Sequence, residues 1–260
     1  MGVDLSAPKI LAGAFSPSCK LLGKVKLSVK LERGPRVFLD RVARCVRDVV
    51  DECDLAWAHL RGAGVAIPGE VEGGIARAAP MLGLENFPLQ AELEQRLQKP
   101  VALANECQAA AWAVYGRQLP NRPERLAAVF LERPGLVGFI VNGQLQPRPA
   151  ELLAFAIPNF QTDPRAPATQ NLPKQLRKAV RSGSQSARAA VAAGARQAGL
   201  LVAQTMNLLR PDLLAIDGAA IYELKEWVWP AILNEIQVRV PAPLREQVQL
   251  TICHLGKDAA

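Results

Sequence analysis

Thiols and imidazoles are the side chains best able to bind a metal or act as nucleophiles near neutral pH, and this sequence is poor in both. Its five cysteines, Cys19, Cys45, Cys53, Cys107 and Cys253, are odd in number, widely spaced and form no Cys-x-x-Cys pair. Such usage points to a reduced, cytoplasmic compartment rather than a disulfide framework. The two histidines, His59 and His254, show no His-x-x-x-His or His/Cys spacing, so a structural zinc site lacks ligands. Charge is the other chemical resource. Of the formal +7, a net +4 falls between Gln161 and Ser186, where Arg165, Lys174, Arg177, Lys178 and Arg181 stand against one acid, Asp163. The stretch reads as a solvated linker, a lid or an exposed helix edge, with a non-specific polyanion contact as the alternative. It carries no interleaved aromatics on which single-stranded nucleic acid would stack. Glu106, after Asn105 at the end of an apolar run, reads as a carboxylate in the first turn of a helix, where the dipole favours it.

These residues need a scaffold, and the chain can build one. With 260 residues, half of them hydrophobic, it can bury a core of one large or two modest domains. No apolar run reaches 18 residues, which excludes an obvious membrane span. Asp4 and Lys9 interrupt the place where a signal peptide would need its apolar region, so export is not expected. Met1-Gly2 through Ser6 fits the loose myristoylation pattern, but the same residues read as the opening of a strand.

Apolar runs and turn residues predict strands at 3–5, 10–15 and 25–31, a helix from 37 to about 60, a strand at 64–69, a helix at 89–97, a strand at 101–104 and a helix at 107–115. A Pro-containing boundary at 118–123 precedes a restart. Strands at 126–131 and 137–142 follow, with Asn142-Gly143 as a hairpin turn. Then come a helix at 187–209, a strand at 212–216, a turn at Asp217-Gly218, a helix at 222–236 and a strand at 248–253. Trp57, Trp112, Trp227 and Trp229 fall in helical patterns and read as core or interface residues. Each half runs through three strands, then helix, strand and helix. The pattern predicts an α/β protein of two lobes, 1–118 and 119–260, with a ligand in the cleft between them.

Several segments together carry a resemblance. They are Gly64-Val65-Ala66-Ile67-Pro68-Gly69-Glu70-Val71, Ala79-Pro80-Met81-Leu82, Phe87-Pro88-Leu89 and Leu93-Glu94-Gln95-Arg96-Leu97. Pro100-Val101-Ala102-Leu103-Ala104-Asn105-Glu106, Asn207-Leu208-Leu209-Arg210-Pro211-Asp212 and Asp217-Gly218-Ala219 continue the series. In order and spacing the chain resembles the ROK family of bacterial sugar kinases and sugar-responsive repressors, in the actin/hexokinase-like superfamily. The resemblance implies a two-lobed, ribonuclease-H-like α/β fold with a central cleft. It also implies ATP and Mg as the cofactors of an active member, a sugar or other small molecule as ligand, and a homodimer. By the same resemblance Asp4 and Lys9 belong to a first phosphate loop, Arg133 and Gly135 to a second, and Gly218 to the nucleotide site. Asn105, Glu106 and Glu151 would meet the sugar, with Glu106 as candidate base for its hydroxyl.

Residue by residue, the chain departs from the family pattern. The opening Asp-x-Gly-Gly-Thr-Lys loop is Asp4-Leu5-Ser6-Ala7-Pro8-Lys9, and Pro8 has no N–H to offer a phosphate. Glu132 would bring negative charge to the second loop, although Arg133 could compensate. Glu106 replaces a shorter aspartate, and a displacement of about 1 Å can cost roughly a hundredfold in rate. Met81 stands where the family has a sugar-binding asparagine, Glu151 survives while the nearby histidine does not, and the basic stretch replaces a Cys-rich zinc motif. No DNA-reading helix-turn-helix precedes Met1, so specific DNA binding is not expected. The expectation is a divergent member with degenerate ATP and sugar sites and a ligand- or partner-binding role. The alternative is an active ATP-dependent sugar kinase, glucokinase-like, with altered substrate; a structural oligomerisation module is a third reading.

Overall fold

A three-residue strand has room for one buried side chain and must take its place from its neighbours. Such is β1, Gly2–Asp4, which buries Val3. On one side it pairs antiparallel with β2, Lys9–Phe15, and on the other parallel with β4, Ala63–Ile67. The computed structural model describes residues 1–5, 9–29, 31, 34–116, 122–131, 137–146 and 172–253. Within them the contacts divide the chain into two units, Met1–Ala109 and Ala110–Ala259.

The first unit carries a five-stranded sheet in the order β3-β2-β1-β4-β8, where β3 is Leu21–Ser28 and β8 is Val101–Asn105. β3 alternates strictly, with Leu22, Lys24, Lys26 and Ser28 exposed. Its lysines guard a sheet edge against pairing with another chain. Helix α1, Gly34–Glu52, covers the sheet with Phe38, Leu39, Val42, Cys45, Val46 and Val49, the spacing of one helical face. It stops well before residue 60, the end expected from periodicity. Asp54 adopts φ 51°, and the Leu55 N–H turns back to the Val50 carbonyl at 2.9 Å, a left-handed stop. Cys45 donates to the Val25 carbonyl at 3.5 Å, and burial above all pushes its thiol up to about 11, so it is an inert core residue.

Periodicity also failed to separate a small antiparallel sheet from its surroundings: β5, Glu70–Glu72, β6, Ile75–Ala79, and β7, Leu84–Phe87. These strands are short and rich in Glu and Ala rather than β-branched or aromatic residues. Helix α2, Leu89–Leu97, buries Leu89, Leu93 and Leu97 as its spacing predicts. α3, Glu106–Gly116, leads out of β8 into the second unit.

The second sheet repeats the first. β9, Arg125–Phe130, β10, Val137–Val141, β11, Gln144–Leu145, β12, Leu213–Asp217, and β13, Gln249–Ile252, lie in the order β11-β10-β9-β12-β13. Asn142 and Gly143, both with positive φ, make the expected β10–β11 turn. In each sheet two antiparallel pairings lead to three parallel strands: β1, β4 and β8, then β9, β12 and β13.

Five helices complete the described part of this unit: α4, Leu172–Arg181; α5, Gln185–Leu209; α6, Ala219–Glu223; α7, Lys225–Arg239; and α8, Ala242–Gln247. The helix expected over 222–236 is therefore two. Leu224, at φ −122°, breaks it, burying its own side chain while its carbonyl caps the Trp227 N–H.

α5 and α7 pack closely where Gly199 meets Glu235. A Cβ at Gly199 would lie 2.8 Å from Glu235 Cγ and 2.9 Å from the Ala231 carbonyl oxygen. Glu235 is buried and accepts from Arg239 at 2.6 Å, with Arg196 at 3.4 Å on α5. Gly199→Ala should therefore push two helices apart and cost about 1–3 kcal/mol. Thermal unfolding should register this as a melting point lower by several degrees.

Candidate active site

Parallel strands end together, and ligands of open α/β sheets lie beyond their carboxyl ends. In the first unit Asp4 pairs with Ala66, and Ala66 with Ala104. At about 4.8 Å between strands, Asp4 lies roughly 10 Å across the sheet from Ala104, the residue before Asn105. The first edge thus brings together Asp4, Asn105 and Glu106. Lys9 is exposed at the first position of β2.

Asn105 starts α3. Its N–H donates to Gln108 Oε1 at 3.0 Å, and the Gln108 N–H donates to Asn105 Oδ1 at 2.8 Å. This reciprocal box satisfies two backbone donors and holds Glu106 at the first helical position. Asn105 Oδ1 is thereby committed to the helix. Sequence reading missed Gln108, although Asn-x-x-Gln after an apolar run is a visible capping signal.

The corresponding edge of the second unit is different. Asp217 ends β12, only 7% exposed. Its Oδ1 accepts the Gly218 N–H at 2.7 Å and the Tyr222 hydroxyl at 2.5 Å. Tyr222 also reaches the Cys253 carbonyl, at the end of β13. Gly218 has φ 122° and ψ 152°, a conformation reserved for glycine, which turns its N–H back to the preceding carboxylate. Asp217 was legible only as part of a turn and a family motif; its pairing with Tyr222 was not, because it depends on a helix that folds Tyr222 back over the strand end.

Several expected site residues lie outside the described residues: Ser6, Ala7 and Pro8, Arg133 and Gly135 of the second loop, Glu151, and Arg165. Of the readings of the basic stretch, the structure takes the helix: Leu172 to Arg181 is α4, with Leu176 packed on the core and Val180 buried in it, and not a linker. Its cations meet acids of α6 and α7: Arg177 lies 2.7 Å and Lys174 3.9 Å from Glu223, and Arg181 lies 3.2 Å from Glu226. Local charge counting could not see those distant partners. Met81 sits partly buried in the 3-10 turn Pro80–Leu82.

Among the described residues no three His, Cys, Asp or Glu side chains converge as a metal site. Asp4 and Glu106 are the carboxylates nearest this edge that could meet magnesium, and a magnesium ion held there would need phosphate oxygens to complete its shell. Among the described residues no helix is long and apolar enough to cross a membrane.

Two sheets of identical order, each with a parallel trio, define an α/β protein of the actin/hexokinase-like fold. The model of the ROK family matches residues 1–147, more than half of the sequence, and the chain belongs to that family. Among curated relatives, the N-acetyl-D-glucosamine kinase of Salmonella arizonae is 31% identical over 107 residues, 40% of this chain and 34% of that protein. An N-acetylmannosamine kinase of Escherichia coli is 25% identical over 171 residues, 65% of this chain and 56% of that protein. The chain thus spans between a third and just over half of the length of these relatives. Among solved structures, a ROK family glucokinase from Streptomyces griseus, in complex with glucose and AMPPNP, superposes with a TM-score of 0.75 at 20% identity. That match covers 99% of this chain and 95% of the other. A ROK family transcriptional regulator, a homolog of the E. coli MLC protein, superposes at 0.68 and 16% identity, covering 96% and 72%.

The Tyr222 hydroxyl ties α6 to two strand ends, so Tyr222→Phe should lower stability by about 1 kcal/mol, the usual net worth of one hydrogen bond. Urea unfolding would measure it, and a midpoint equal to wild type would show that the bond contributes nothing.

Proposed function

We propose that this ROK-family chain binds a sugar or related small molecule and transfers phosphate inefficiently or not at all. The observation that carries the reading is the buried Asp217 carboxylate, which holds the Gly218 N–H and the Tyr222 hydroxyl. At that edge a nucleotide's phosphates would meet negative charge and a donor already engaged. Pro8 and Glu132 support it from the sequence, since one removes a backbone donor and the other adds an acid near the phosphate loops.

The kinase reading keeps one specific observation in its favour. Glu106 presents a carboxylate directly after β8, on the same sheet edge as Asp4, where a base for a sugar hydroxyl would stand. The relatives named above as sugar kinases make it the natural competitor.

Two measurements separate the readings. Melting curves with millimolar Mg-ATP should not shift, whereas a ligand at about a hundred times its dissociation constant would add roughly 2.7 kcal/mol. Glucose, N-acetylglucosamine and N-acetylmannosamine should be screened the same way, and a saturable shift with one of them, without nucleotide, is the expected result. Coupled assays with Mg-ATP and these sugars should show no turnover. Turnover that Glu106→Gln abolishes and Glu106→Asp preserves would establish the kinase and end the binding-only reading.

A further inference from the structure

Three helices of the second unit surround a groove that none of the foregoing chemistry uses. α4, α5 and α7 border an open groove of about 680 Å³, within the ordinary range for a small-molecule site. None of its lining belongs to the strand ends at Leu131, Asp217 and Cys253. Its floor is Val180, Val191 and Ala195, all buried, and the Trp227 indole, packed against the core, forms a wall.

The rim decides what such a floor could hold. Arg181 donates to Glu226 Oε1 at 3.2 Å, so these two largely neutralise each other. Arg188, on the exposed turn of α5 above the floor, makes no side-chain hydrogen bond or ion pair with the described residues. One guanidinium without a side-chain partner among the described residues, beside an indole and aliphatic side chains, complements one negative charge attached to a flat apolar body. Guanidinium binds carboxylate through a planar pair of donors, and an indole face accepts a ring by stacking.

We propose that this groove is a binding site for a small aromatic carboxylate, with its ring against Trp227 and its carboxylate on Arg188. The site stands apart from the sugar-binding reading and does not depend on it. A cationic ligand would be repelled by Arg188, and a neutral one would leave that guanidinium in water, gaining only apolar contact.

The test is calorimetric titration of the whole chain with 1-naphthaleneacetate, alongside 1-naphthaleneethanol as its neutral counterpart. The expected result is saturable one-to-one binding of the carboxylate, accompanied by tryptophan quenching, with the alcohol at least tenfold weaker. Arg188→Ala should weaken the carboxylate at least tenfold without changing the melting curve, because its side chain is exposed and has no ion pair among the described residues. Ala192→Trp, at an exposed position on the groove wall, should abolish binding, whereas Arg210→Ala, on the exposed cap of α5 remote from the groove, should leave it intact. Failure of the carboxylate to bind at millimolar concentration, or binding indifferent to Arg188→Ala, overturns the proposal. Self-association that Ala192→Trp disrupts, with no probe binding, also overturns it and makes this face a contact between copies of the chain.

Discussion

β12 is a parallel strand buried along its whole length and flanked by parallel neighbours, so its residues must satisfy every polar group within the fold. Its last residue is an aspartate. A carboxylate there needs donors, and the chain supplies two: the Gly218 N–H, through a backbone conformation open to glycine, and the Tyr222 hydroxyl, through the short helix α6. The break at Leu224 follows from the same requirement, because α6 must end before α7 can lie along α5. One buried carboxylate thus organises the end of the strand, the turn, the helix break and the link to Cys253.

The first sheet has the same order and meets its edge with different chemistry. Its central strand is three residues long, and its carboxyl edge presents Asp4 and Glu106 beside an asparagine engaged in a capping box. That edge is less buried than the second, since Asp4, Asn105 and Glu106 all keep partial exposure. Asp217, by contrast, is buried, and its Oδ1 already accepts two protein donors. That difference in burial is what supports the binding-centred reading proposed for this ROK-family chain.

Helix faces were plain in the sequence where apolar spacing repeated over several turns. α2 and most of α5 lie where periodicity put them, because Leu89, Leu93 and Leu97, or Val191, Ala195 and Val202, can bury on one side only as a helix. Asn142-Gly143 likewise announced its hairpin through local backbone preference. The small sheet of β5 to β7 was invisible because its strands are short and rich in Glu and Ala rather than β-branched or aromatic residues. Charge counting left α4 undecided between linker, lid and helix edge because its cations find Glu223 and Glu226, far away in sequence, and counting along the chain has no access to such partners.

The sequence by itself determined the alternation of strands and helices, the two-fold repetition of that pattern, the family to which its motifs point, and the chemical departures at Pro8, Met81 and Glu106. These are properties of residue type and local spacing. Only the tertiary structure decided that Gln108 returns the hydrogen bond of Asn105, that Tyr222 closes over Asp217, and that Arg181 pairs with Glu226 across two helices. Each of those outcomes depends on donor and acceptor positions within a few tenths of an ångström, and such positions are set by how helices and strands pack after their local identities are already settled.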